Sequence, residues 1–88
     1  RIRKFLVFQE ERWVLTMQLI WSHYLAGEFD LALSEAEKIG MLQVNPLCER
    51  RLVLTKLDGG KHVFIGTADE MMKEILEEIY IEKELRNV

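Results

Sequence analysis

The sequence predicts a small α+β protein, and three observations carry that prediction. Apolar residues recur at helical spacing through the N-terminal third, an Asp-Gly pair stands between two apolar segments in the middle, and a helix-capping sequence opens the C-terminal quarter. With 88 residues, about half of them apolar, the chain has material for one hydrophobic core and is read as a single domain over residues 1–88. The predicted order is helix, helix, β-hairpin, helix.

The first helix is defined by Trp13, Met17, Ile20, Trp21 and Tyr24, with Gly27 as its stop. Ile2 and Leu6 continue that face upstream, so the helix can begin near the N-terminus; the β propensity of Phe5 to Phe8 leaves a short strand over residues 2–8 open. The second helix places Phe29, Ala32, Leu33, Ala36 and Ile39 on one side, with Asp30 as candidate cap and Gly40 past its end. Met41, Leu42 and Val44 are candidates for the start of a strand, and Pro46 marks a bend.

Leu52 to Leu57 and Lys61 to Ile65 flank Asp58, Gly59 and Gly60 as the arms of a hairpin. A two-residue loop pairs Leu52 with Ile65 and Leu54 with Val63 but sets Lys56 against Lys61, a repulsion that a three-residue loop relieves; both registers stay open. The last helix opens on Thr67-Ala68-Asp69-Glu70, a capping box, and its expected core face is Met72, Ile75, Leu76 and Ile79.

Two helices carry more apolar residues than one small core needs. On the first, a second stripe of Phe8, Leu15, Leu19 and Ala26 lies more than a third of a turn from the main one. On the last, Ile81, Leu85 and Val88 lie roughly opposite the core face, which means either a break near Tyr80 that folds the tail back or a surface for a partner. The second reading is preferred because both helices show the same surplus, and it makes Leu15, Leu19, Ile81, Leu85 and Val88 the expected interface of a homo-oligomer or protein complex.

No catalytic constellation is legible. Gly59, Gly60 and Gly66 lack the lysine and hydroxyl residue of a phosphate loop, and Asp69 and Glu70 repel an anion from the last helix. His23, a surface residue, and His62, on a strand face, are too few and too far apart for a metal site of standard spacing; no neighbour activates Ser34 or Thr67. The chain is therefore expected to be no enzyme, with no cofactor, metal or small-molecule substrate. Its longest apolar run, Phe5 to Phe8, is far short of a membrane span, and no signal peptide is seen. The single cysteine, Cys48, excludes an intrachain disulfide, favours a cytoplasmic setting and is expected to be partly buried and inert. Arginine at position 1 suggests a trimmed or excised fragment.

Charge is unevenly spread about a net of −3. Arg1, Arg3 and Lys4 form a basic tip, Glu28, Asp30, Glu35 and Glu37 an acidic block, and Arg50, Arg51, Lys56 and Lys61 a basic patch. Arg50-Arg51-Leu52-Val53-Leu54-Thr55 followed by Gly59, with Glu37 to Leu42 before it, resembles the recognition-helix end and wing of multiple-antibiotic-resistance-type winged-helix regulators. That resemblance covers residues 37–60 and implies DNA binding, with residues 50–65 as the wing and the four basic residues on phosphates. The segment in the place of the recognition helix carries Asp30, Glu35 and Glu37 against Lys38 alone, so nucleic acid is the second choice of partner. Gly27-Glu28-Phe29-Asp30-Leu31-Ala32 is similar to the inter-helix turn of tetratricopeptide repeats and implies that the first two helices form an antiparallel hairpin. The chain is assigned to neither family. The reading that results is a non-enzymatic regulatory or adaptor domain that acts through protein–protein contact and self-associates.

Overall fold

A computed structural model describes residues 2–86; Arg1, Asn87, Val88 and the side chain of Ile2 lie outside that description. The chain runs α1 (Ile2–Leu25), α2 (Phe29–Ile39), β1 (Arg50–Thr55), β2 (Lys61–Gly66) and α3 (Ala68–Arg86), the α+β arrangement the sequence predicts. α1 takes up the whole N-terminal segment, so residues 2–8 are helix and not strand. At about 1.5 Å per residue it is about 36 Å long and dominates a body measuring 49 × 25 × 18 Å.

Gly27 ends α1 because only a residue free to take φ +78° closes this turn. The Gly27 N–H donates to Tyr24 O at 3.1 Å and the Glu28 N–H to His23 O at 2.8 Å, a Schellman arrangement that satisfies two terminal carbonyls. The chain reverses there, and α2 packs antiparallel on α1. Glu28, not Asp30, precedes the first turn of α2 and caps it without a side-chain bond. Asp30 is free to pair with Lys83 of α3 at 3.0 Å. Gly40 ends α2 in an ordinary right-handed conformation, so its glycine freedom goes unused.

Residues 41–49 form a loop and contain no strand. Leu42 and Val44 pack on the core from that loop, while Met41 is exposed. Cys48 is exposed as well, against the expectation of burial, because the turn at Asn45–Pro46 carries it to the surface. The loop is held to α1 by two polar contacts. The buried Gln9 amide oxygen accepts from the Gln43 N–H at 3.0 Å. The Arg50 guanidinium forks onto the Glu10 carboxylate through Nε and Nη2, donates to the carbonyls of Cys48 at 2.8 Å and Asn45 at 2.9 Å, and lies 5.2 Å over the Trp13 ring.

The hairpin adopts the three-residue loop. Thr55 pairs with Lys61 and Leu52 with Phe64. The Lys56 N–H donates to Gly60 O at 2.8 Å and the Gly59 N–H to Lys56 O at 3.1 Å, with Gly59 at φ +86°. This is a tight turn closed by a left-handed residue, which only glycine occupies without strain. It moves Lys61 off Lys56 and onto Thr55 Oγ1 at 3.1 Å. The register turns Leu52, Leu54 and Phe64 inward and leaves Val53, Val63 and Ile65 exposed.

The core lies where these inner faces meet: Trp13, Met17, Ile20 and Trp21 of α1, Ala32 and Ile39 of α2, and Ala68, Met71, Ile75 and Ile79 of α3. Met71 takes the place expected for Met72, and Met72 and Leu76 stay half-buried beside the stripe. α3 runs unbroken to Arg86, so its tail does not fold back at Tyr80.

Thr67 caps α3 reciprocally. Its Oγ1 accepts from the Glu70 N–H at 3.3 Å, and its N–H donates to Glu70 Oε1 at 3.0 Å. The bond from the Thr67 backbone, and then that from its side chain, hold the Glu70 carboxyl below its usual range. A lowered carboxyl contributes stability at neutral pH that is lost as pH falls through the folded value. Thr67→Ala should lower stability by about 1 kcal/mol in urea titration, and an unchanged midpoint would contradict the cap.

A second prediction separates two adjacent arginines. The Arg50 side chain is 8% exposed, whereas Arg51 stands on the opposite, exposed face of β1. The Arg50–Glu10 pair is only partly desolvated, since Glu10 is 38% exposed, so its rupture should fall below the value for a fully buried pair. Arg50→Ala should destabilise by about 2 kcal/mol, Arg50→Lys by a comparable amount because lysine lacks the planar fork, and Arg51→Ala by less than about 0.5 kcal/mol. Equal effects of the two alanine substitutions in urea titration would refute this division.

Candidate functional site

Two surfaces stand out, and both begin on α1. At 100° per residue, Trp13, Met17, Ile20 and Trp21 fill the face that holds the core. Leu6 lies on that same face, yet it is exposed, because α1 extends beyond the elements that cover it. Phe5 and Phe8 on the same projecting turns are exposed too.

On the outward side of α1, Phe5, Phe8, Arg12, Leu15 and Leu19 follow one another at alternating steps of three and four. Such spacing makes a continuous seam along a helix. Its four apolar members are all exposed, Leu15 to 64%. Arg12 interrupts them, its guanidinium 5.9 Å from the Phe8 ring centre. Leu15 and Leu19 were legible in the sequence as surplus; Phe5 and Arg12 complete the seam once residues 2–8 are known to be helical. On α3, Ile81 and Leu85 are neighbours one turn apart, exposed to 60% and 63%, with Tyr80 and Glu84 beside them around a shallow depression. Val88, the fifth expected interface residue, lies outside the described residues.

Of the four residues of the basic patch, Arg50 is set apart from the rest. Arg50 is consumed by Glu10, two loop carbonyls and Trp13, and the hydrogen bond it donates to Glu10 is the chief cause of its raised pKa. Arg51 and Lys61 share the outer face of the hairpin, and Lys56 stands in its loop. Three exposed cations therefore remain of the four that a wing would present.

The second surface is a cleft of 460 Å³ between the end of α1, the hairpin loop and the last turns of α3. Trp21 forms its inner wall. The indole lies 5.7 Å from the His62 ring in a stacked arrangement and 4.8 Å from Tyr24. Its N–H donates to Thr55 O at 2.8 Å, which fixes the ring against the end of β1. Tyr24 reaches across to α3 and donates to Glu78 Oε2 at 3.3 Å. Burial, with Glu78 and then Glu82 adding to it against Arg86, pushes the phenol up to about 12, so Tyr24 stays protonated and remains a donor at neutral pH. Arg86 stands 5.3 Å over the Phe29 ring. None of these residues was singled out from sequence as a site. The signal was there in α3, where Glu78 and Glu82 fall close to the stripe of Ile75 and Ile79, a place where a short domain ordinarily keeps apolar residues.

Among the described residues, no group of three or more histidine, cysteine, aspartate or glutamate side chains is gathered to hold a metal ion, and no helix is long and apolar enough to cross a membrane. Comparison with family models, with curated proteins and with solved structures finds no match.

Proposed function

We propose that this chain is a non-enzymatic regulatory or adaptor domain that works by protein–protein contact and pairs with a second copy of itself through the outward seam of α1. The observation that carries this reading is the seam itself: Phe5, Phe8, Leu15 and Leu19, all exposed, in coiled-coil spacing on a helix whose opposite face already fills the core. Arg12, the one charge within it, would restrict which registers a partner helix can take.

The seam's contribution is comparable with the cost of association. Covering a side chain that is already half-buried is worth about 1 kcal/mol, half the usual figure for full burial. Four such residues on each copy of a two-fold pair give about 8 kcal/mol, within the range of about 4–15 kcal/mol that association itself costs. The pair is therefore expected to depend on concentration, with the patch of Ile81 and Leu85 as a separate site of reinforcement or of partner contact. The DNA-binding alternative is weakened by the loss of Arg50 to an internal pair and by the acidic exposed face of α2.

Sedimentation equilibrium across the micromolar range tests the proposal, with an expected average mass above that of one chain. Leu15→Glu and Leu19→Glu should each weaken the pairing by about tenfold or more while leaving helicity intact, because both sites are exposed. Leu85→Glu reads the α3 patch separately. A single-chain mass at high micromolar concentration would overturn the proposal.

A further inference from the structure

The aromatic cleft has a composition that the self-association reading does not use. Its volume of 460 Å³ lies within the usual range for small-ligand sites. It brings together three kinds of group: the rings of Tyr24 and Phe29 in front of the buried Trp21 indole, a pair of carboxylates one turn apart on α3, and a loosely held cation.

We propose that this cleft binds an organic cation, an alkylated ammonium or guanidinium group seated against the rings of Tyr24 and Phe29, with the buried Trp21 indole as the floor behind them, and facing the carboxylates of Glu78 and Glu82. Aromatic faces attract cations through the ring quadrupole, and the attraction strengthens where water is excluded. The carboxylates supply the opposite charge. Glu78 already accepts from the Tyr24 hydroxyl at 3.3 Å, which fixes it at the aromatic wall and leaves its other oxygen outside that bond. The field at the phenol is negative on balance, since Glu78 and Glu82 both raise its pKa against the opposition of Arg86.

Arg86 is the internal stand-in for the ligand. Its guanidinium lies over Phe29 at 5.3 Å, so the wall demonstrably accommodates a planar cation. It is held weakly: the side chain is 58% exposed, and its Nε is 4.0 Å from Glu82 Oε2. A ligand cation would displace it. Lys56 lines the cleft from the hairpin side, where it belongs to the exposed loop and not to the α3 wall. It would favour ligands whose cationic end enters first and whose remaining part is neutral or acidic.

The same chemistry has two sources, a free quaternary amine or a methylated lysine side chain on a partner peptide. Nitrogen-15 NMR on the full chain separates them and needs no extrinsic label, because the chain has two tryptophans whose indole N–H signals report different places. Titration with choline chloride, against sodium chloride at equal ionic strength, should shift the Trp21 indole signal saturably and leave that of Trp13 in place. A trimethyllysine peptide that binds more tightly than choline identifies a partner-borne cation, and the reverse order a free one. The double variant Glu78→Gln, Glu82→Gln should bind about tenfold more weakly or worse, with folding verified by circular dichroism, and Arg86→Ala should bind more tightly. No saturable shift with either probe would overturn the assignment. So would an equal response to the uncharged carbon isostere of choline, undiminished binding by a folded double-glutamine variant, or weaker binding by Arg86→Ala.

Discussion

The Trp21 indole is the point on which the arrangement of this domain turns. Its N–H donates to the carbonyl at the end of β1, and its ring meets Phe64 edge-on at 5.6 Å and stacks near His62 at 5.7 Å. One side chain of α1 thus contacts both strands and fixes how far along the helix the hairpin sits. A two-stranded sheet has little stability alone, so its placement has to come from such contacts. Arg50 secures the opposite end of β1 through Glu10 and Trp13. Between these two anchors, Leu52 and Leu54 are aimed at the core and Val53 at solvent. α3 follows β2 after the single residue Thr67, so the hairpin also sets where α3 begins.

The parts of the fold that were legible in the sequence are those decided by local chemistry. The capping box at Thr67 and Glu70 depends on residues three apart and was readable without any tertiary knowledge. The hairpin loop was constrained by electrostatics, since setting Lys56 against Lys61 is unfavourable, and the longer loop that separates them is the one found. What escaped depends on distant contacts. Two adjacent methionines made the phase of α3 ambiguous; Met71 is the one that joins Ala68, Ile75 and Ile79 in the core, with Met72 packed beside it. Arg50 and Arg51 looked alike in sequence. Strand alternation sends them to opposite faces, but only once β1 is known to start at Arg50 and not at Leu52. Residues 41–49 were read toward a strand from Met41, Leu42 and Val44. Their backbone has no strand to pair with, and Gln43 turns to the Gln9 side chain instead.

The candidate surfaces were legible to different degrees for the same reason. Surplus apolar residues can be counted on a helical wheel, so Leu15, Leu19, Ile81 and Leu85 stood out at once. A cleft is assembled from separate elements and has no such signature. Trp21 and Tyr24 were read only as core residues. Tyr24 is in fact partly exposed, because α3 meets it with Glu78 and not with an apolar side chain. An aromatic stripe on one helix and a carboxylate on the stripe of another become a polar cleft only when the two helices are brought together.

Both surfaces share α1, and their angular placement decides whether they can work at the same time. Leu19 and Trp21 are two residues apart, so about 200° separates their side chains around the helix axis. The seam of Phe8, Leu15 and Leu19 therefore runs along nearly the opposite side of α1 from the wall of the cleft. A second copy laid along the seam would cover Phe8 and Leu15 without reaching over Tyr24 and Phe29. The main chain of α1 separates the two surfaces, and no side chain is a member of both. The proposed pairing and the proposed ligand binding would thus be sterically independent on this geometry. Any coupling between them would have to pass through the position of α1 itself, by way of Trp21 and its bond to Thr55.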